Sequence, residues 1–203
     1  MLTSEEMQQR RSPSELRKFV EEVWNRVGND KAEWELGVQK KGCYKQFLDE
    51  IVPLSRFAEK MYPETYRIQP VLGNQGHDAR VFDEMEREID KIEIAIPKEG
   101  AENAEDARHL IDRGYGVFRV GDPGDAFKRL GLLALRTSEN KARKDYSDCI
   151  LVIAISIGKI NPFPEYEAAL QELIGKLQKI KFKAKGVFLL VLPDRVEEIS
   201  ANV

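Results

Sequence analysis

Two stretches of the chain, CILVIAISI at 149–157 and GVFLLVLP at 186–193, are apolar without alternation. A strand of that kind has both faces buried, so helices must cover it, and this constrains the fold more than any other feature. The segment from about Pro164 to Ile180 supplies one such helix. Its Tyr166, Ala169, Leu170, Leu173, Ile174 and Leu177 recur at helical spacing.

Upstream the pattern changes. TYRIQPVLG, HDARVFDE and KIEIAIP are three strand-like runs, with MEREID connecting the second to the third. A helix is expected over AENAEDARHLIDRG, ended by Gly114. A short strand then precedes a Gly/Pro turn, and another helix runs from about Asp125 to Lys144. Ahead of the strands, SPSELRKFVEEVWNRVG reads as a helix. Ser12 caps it, Pro13 takes its first position, Glu15 closes a capping box, and Leu16, Phe19, Val20, Val23, Trp24 and Val27 form its apolar stripe. GNDKAEWELGVQ reads as a linker or short irregular piece, and a second helix spans about Lys40 to Met61, kinked or split at Pro53. The tail after 193 is expected to fray.

This order specifies an α/β fold: a mixed sheet opened by an antiparallel β-meander and closed by helix-separated strands, flanked by helices. Residues 1–38 are expected to be an N-terminal helix and linker packing on the core, and 39–203 the α/β domain. The stripe containing Trp24 is then a docking face, with a homodimer contact as its alternative use.

Composition excludes several classes. A net charge of −3 gives no chain-wide basic field, which counts against a DNA-coating protein but leaves room for a local basic groove. Cys43 and Cys149 make no metal-binding spacing, and Cys149 is expected to be a buried, reduced thiol. MLTSEEMQQRR has no apolar core of a signal peptide, and no apolar run is long enough to span a bilayer, so a cytoplasmic, membrane-free protein is expected. RGYGVFRVGDPG is neither GxGxxG nor a P-loop, and no GxSxG occurs. His77 and His109 are too few for a His-based zinc site; a polar contact for His77 and a solvated position for His109 are expected. The basic clusters at 128–145 and 176–185 read first as solvated helix faces; the second, which follows an amphipathic helix, has a phosphate-tracking groove as its alternative reading.

Two carboxylates stand out. Strand parity turns Ile92, Ile94 and Ile96 to a core and Lys91, Glu93 and Ala95 to the opposite, polar face. Asp78 follows the glycine-rich GNQGH and opens a run that pairs with this strand if the MEREID turn is a hairpin. Two carboxylates brought together repel unless protonated or bridged by a cation. A hard divalent ion relieves that repulsion, polarises a phosphoryl group and generates a hydroxide-like nucleophile.

The order of a helix carrying acidic residues, an Asp-bearing strand and a hydrophobic–Glu–hydrophobic strand resembles the PD-(D/E)XK nuclease superfamily, whose core is of αβββαβ type. The resemblance covers roughly residues 40–160. It implies a restriction-endonuclease-like fold and hydrolysis of nucleic acid, DNA in preference to RNA, with Mg²⁺ or Mn²⁺. Asp78 and Glu93 match the motif acids, and Glu50 in FLDEIVPL matches the helical Glu as a further metal ligand. The motif lysine is absent, because IEIA puts Ala95 in its place. Lys91 and Lys98 are the expected substitutes. Loss of that lysine raises the alternative of a catalytically inactive relative that binds nucleic acid or a protein. A third reading is an unrelated α/β interaction protein.

Overall fold

The computed structural model describes residues 1–73, 75–97, 122–157 and 164–201. The two apolar runs lie within β4 (Asp145–Ser156) and β5 (Lys183–Leu192), neighbours paired in parallel from Asp145↔Lys183 to Ser156↔Leu192. With β1 (Arg67–Pro70), β2 (Ala79–Phe82), β3 (Glu88–Ala95) and β6 (Arg195–Ala201) they form a six-stranded mixed sheet in the order β1-β2-β3-β4-β5-β6. The fold is α/β, as expected. β1 pairs antiparallel with β2, β3 parallel with β4, and β5 antiparallel with β6.

The chain divides into two compact units, the first carried by residues 1–89 and the second by 90–97, 122–157 and 164–201. The helix expected over 101–114 and the short strand after it lie outside the described residues, as do Asn74, Lys98 and His109.

In the second unit, parallel pairing of β4 and β5 requires a crossover, and α7 (Tyr166–Leu177) provides it beside α6 (Pro123–Ala142). Asp122 caps α6 by accepting from the Asp125 amide. One face of the strands (Cys149, Leu151, Ile153, Ile155, Val187, Leu189) packs with Phe127 and Ala134 of α6 and Leu170, Leu173 and Leu177 of α7. The residues after 193 do not fray. They form β6, paired antiparallel with β5 through a bulge at which Ile199 has no register partner, between Glu198 opposite Phe188 and Ser200 opposite Val187.

In the first unit, α1 (Ser4–Met7) precedes α2 (Pro13–Asn29), which has the capping box and buried stripe read from its sequence. Trp24 leaves that stripe: it is exposed and meets Phe47 edge-on. The presumed linker is instead helix α3 (Lys31–Val38), because Asp30 accepts from the Ala32 and Glu33 amides and starts a new helix where α2 stops. Glu33 is buried against Tyr44, Arg26 and the Met1 ammonium.

The helix expected over 40–61 is broken in three: α4 (Cys43–Gln46), a π-helical turn (Phe47–Ile51) and α5 (Val52–Met61). Pro53 has no N–H for the residue four back. The helix widens just ahead of it, and the Val52 amide reaches the Phe47 carbonyl five residues back. Among the described residues no helix is long and apolar enough to cross a membrane.

Cys149 is buried, and that burial pushes its thiol up to about 12, whereas Cys43 is half-buried. At mildly alkaline pH an aromatic disulfide reagent should therefore titrate Cys43 in the native protein. Cys149 should react only after denaturation.

Candidate functional site

β3 is not an edge strand with one wet face. Its parallel pairing sets Glu93 beside Leu151 and Ala95 beside Ile153, so all four point to the side covered by α6 and α7. Ala95 is buried in that core, and Ile92 and Ile94 are buried on the other face. The polar face expected for Lys91, Glu93 and Ala95 is therefore a covered one, because a parallel interior strand has apolar layers on both sides.

Glu93 keeps only 13% of its side chain exposed, and a carboxylate so placed needs a partner. The partner is Lys141 in the last turn of α6, whose Nζ donates to Glu93 Oε1 at 2.5 Å. Tyr146, on β4, completes the group. Its hydroxyl donates to the same oxygen at 3.4 Å and accepts from Lys141 Nζ at 3.3 Å. Glu93 Oε2 has no hydrogen-bond partner among the described residues.

The electrostatics agree with this geometry. Burial pushes the Lys141 ammonium towards deprotonation, but Glu93 and Tyr146 outweigh it and leave its pKa raised. The carbonyl end of α6 favours the same charge. Burial raises the Tyr146 hydroxyl too, against the opposing pull of Lys141.

Sequence reasoning missed Lys141, although its periodicity carried a signal. Phe127, Gly131, Ala134 and Ser138 are the buried positions of α6, and the next step of that stripe is Lys141. A lysine on the inward stripe of a helix requires an acid opposite it.

Lys91, expected near the metal, instead pairs with Asp148 of β4 at 2.7 Å and lowers the Asp148 pKa. Lys98 lies outside the described residues. Asp78 and Glu50 belong to the first unit. Asp78 stands one residue ahead of β2 rather than within it, its carbonyl accepting from the Val71 amide at 2.8 Å. The loop before it turns through Gly73 and Gly76, both with positive φ. His77 makes the polar contact expected of it: Arg80 Nε donates to its Nε2 at 3.3 Å. Glu50 is half-buried in the π-helical turn, and its neighbour Asp49 accepts from Lys40 at 2.9 Å. Turns of this kind recur at functional sites.

Among the described residues no group of three or more His, Cys, Asp or Glu side chains is arranged to hold a metal ion. No protein-family model matches the chain, and comparisons with curated proteins and with solved structures return no significant match.

Replacing Lys141 with Met strands the Glu93 carboxylate and should cost about 1–3 kcal/mol of stability in urea denaturation. Replacing both Lys141 and Glu93 with apolar residues should recover much of that loss, since the stranded charge is gone. Because the Lys141 pKa is raised on folding, the pair stabilises fully below the ordinary lysine value of 10.5. That contribution should fade as pH rises through the higher folded-state pKa, closing the gap between parent and Lys141→Met.

Proposed function

We propose that this chain is a divalent-metal-dependent phosphodiesterase acting on nucleic acid, a divergent relative of the PD-(D/E)XK nucleases. The Lys141–Glu93 pair carries the reading. The resemblance calls for an ammonium beside the β3 glutamate, Ala95 cannot provide one, and α6 delivers it from 48 residues away. Element order supports the same reading: α5, β1, β2, β3, α6 and β4 follow in the αβββαβ sequence among the described residues.

A divalent ion suits the donor set chemically. Asp78, Glu93 and Glu50 offer the hard carboxylate oxygens that Mg²⁺ and Mn²⁺ prefer, and Glu93 Oε2 is not already committed among the described residues. The fit is one of donor chemistry, since no assembled three-carboxylate group is present among those residues. Held by carboxylates of this kind, the ion would supply Lewis acidity and lower the pKa of a coordinated water.

The protein's own groups have separate tasks. Lys141 fixes the orientation of the Glu93 carboxylate through its hydrogen bond to Oε1. With its pKa raised, Lys141 stays protonated near neutrality, so it serves as a fixed positive charge for a phosphate oxygen and not as a general base. Tyr146 restrains the ammonium from the strand side.

The burial of Ala95 favours a second reading, in which the fold binds nucleic acid without cleaving it. The two separate on direct measurement. Single- and double-stranded DNA and RNA, incubated with purified protein and Mg²⁺ or Mn²⁺, should be cut by the parent. Asp78→Ala and Glu93→Ala should lose activity by at least about 100-fold, and Lys141→Arg should retain more than Lys141→Met. Cleavage equal in parent and both alanine variants would remove these carboxylates from the chemistry. Absence of both cleavage and calorimetric Mn²⁺ uptake would leave the binding reading.

A further inference from the structure

The topology of the second unit gathers charge at one end. β4 and β5 are parallel, and each is entered from a preceding helix, so α6 and α7 both finish where β4 and β5 begin. Those two helix-to-strand passages carry Arg143 and Lys144 on one side and Lys179, Lys181 and Lys183 on the other. The Asp145↔Lys183 register sets the passages side by side.

All five side chains are exposed, and none has an acidic partner within 4.0 Å or donates a hydrogen bond among the described residues. Helix capping does not account for them, since no helix carbonyl accepts from them and Lys181 and Lys183 lie past the end of α7. The same edge also holds cations that are neutralised, Lys91 by Asp148 and Lys185 by Asp90. Outside those pairs, Asp145 accepts from the Ser147 amide and feels Lys183, and Glu139 is exposed in the last turn of α6. Among the described residues, five exposed cations with no acid within 4.0 Å stand beside these two carboxylates, in a chain whose net charge is −3.

We infer that this edge, formed by the α6–β4 and α7–β5 passages, is a docking surface for the phosphate backbone of nucleic acid. A row of exposed, uncommitted cations matches a repeating polyanion and selects no base. The edge also adjoins the Lys141–Glu93 pair, since Lys141 stands two residues before Arg143 in the chain. The inference deepens the hydrolytic reading by naming how substrate is held, and it needs no metal.

The test is binding of a fluorescein-labelled duplex in EDTA, followed by anisotropy at several salt concentrations, so that failure of cleavage and failure of docking are read separately. Parent protein should bind at low salt, with log K falling against log salt at a slope of about −4.5 for five phosphates engaged. The triple reversal Lys179→Glu, Lys181→Glu, Lys183→Glu should lower affinity at least tenfold and flatten the slope by about 3. The charge-matched control Lys31→Glu, Lys45→Glu, Lys60→Glu should bind as the parent does. Three results would overturn the inference: no binding by the parent at low salt, equal loss in both triple variants, or binding to anionic lipid vesicles without binding to the duplex. Circular dichroism of each variant confirms that these exposed changes leave the fold intact.

Discussion

Parallel pairing of β4 with β5 is the constraint from which the second unit follows. Two adjacent parallel strands cannot be joined by a tight turn, so α7 must cross between them, and α6 packs beside it over the same face. The arrangement buries both faces of the strands, which is why 149–157 and 186–193 carry almost no polar residue. It also sends the ends of two helices and the starts of two strands to one edge. Without that pairing, the cations at 143–144 and 179–183 would be scattered along a surface.

The same pairing determines the electrostatics of β3. Added in parallel beside β4, β3 loses its solvated side, and Glu93 is left under α6 with most of its carboxylate covered. A charge in that position is tolerated only when paired. Lys141 meets the requirement from the inward stripe of the helix, and its own burial is offset by the acid it meets. The pair is therefore both a structural necessity and a preset constellation of carboxylate, ammonium and hydroxyl, which is the property the proposed chemistry uses.

The first unit works by different local rules. Helix breaks there trace to single residues: Asp30 restarts a helix after α2, and Pro53 forces the wide turn that contains Glu50. The elements expected from periodicity were mostly found, including the capped α2, the short strands and α5. The misread pieces were those whose assignment depended on a contact. Residues 31–38 looked like a linker because their apolar pattern is thin, but Glu33 is anchored by Tyr44 and Arg26. The tail after 193, expected to fray, is held as β6 by its antiparallel pairing with β5, with a bulge at Ile199.

The sequence by itself determined the α/β class, the buried central strands, the helix caps and the reduced state of Cys149. Each depends on residue type and short-range periodicity, which a chain carries locally. Tertiary structure alone decided that Glu93 faces a helix instead of water, that Lys141 rather than Lys91 is its partner, and that two distant basic segments share an edge. Those outcomes depend on strand neighbours and register across tens of residues, where a pleat's parity says which residues share a face but not what covers it.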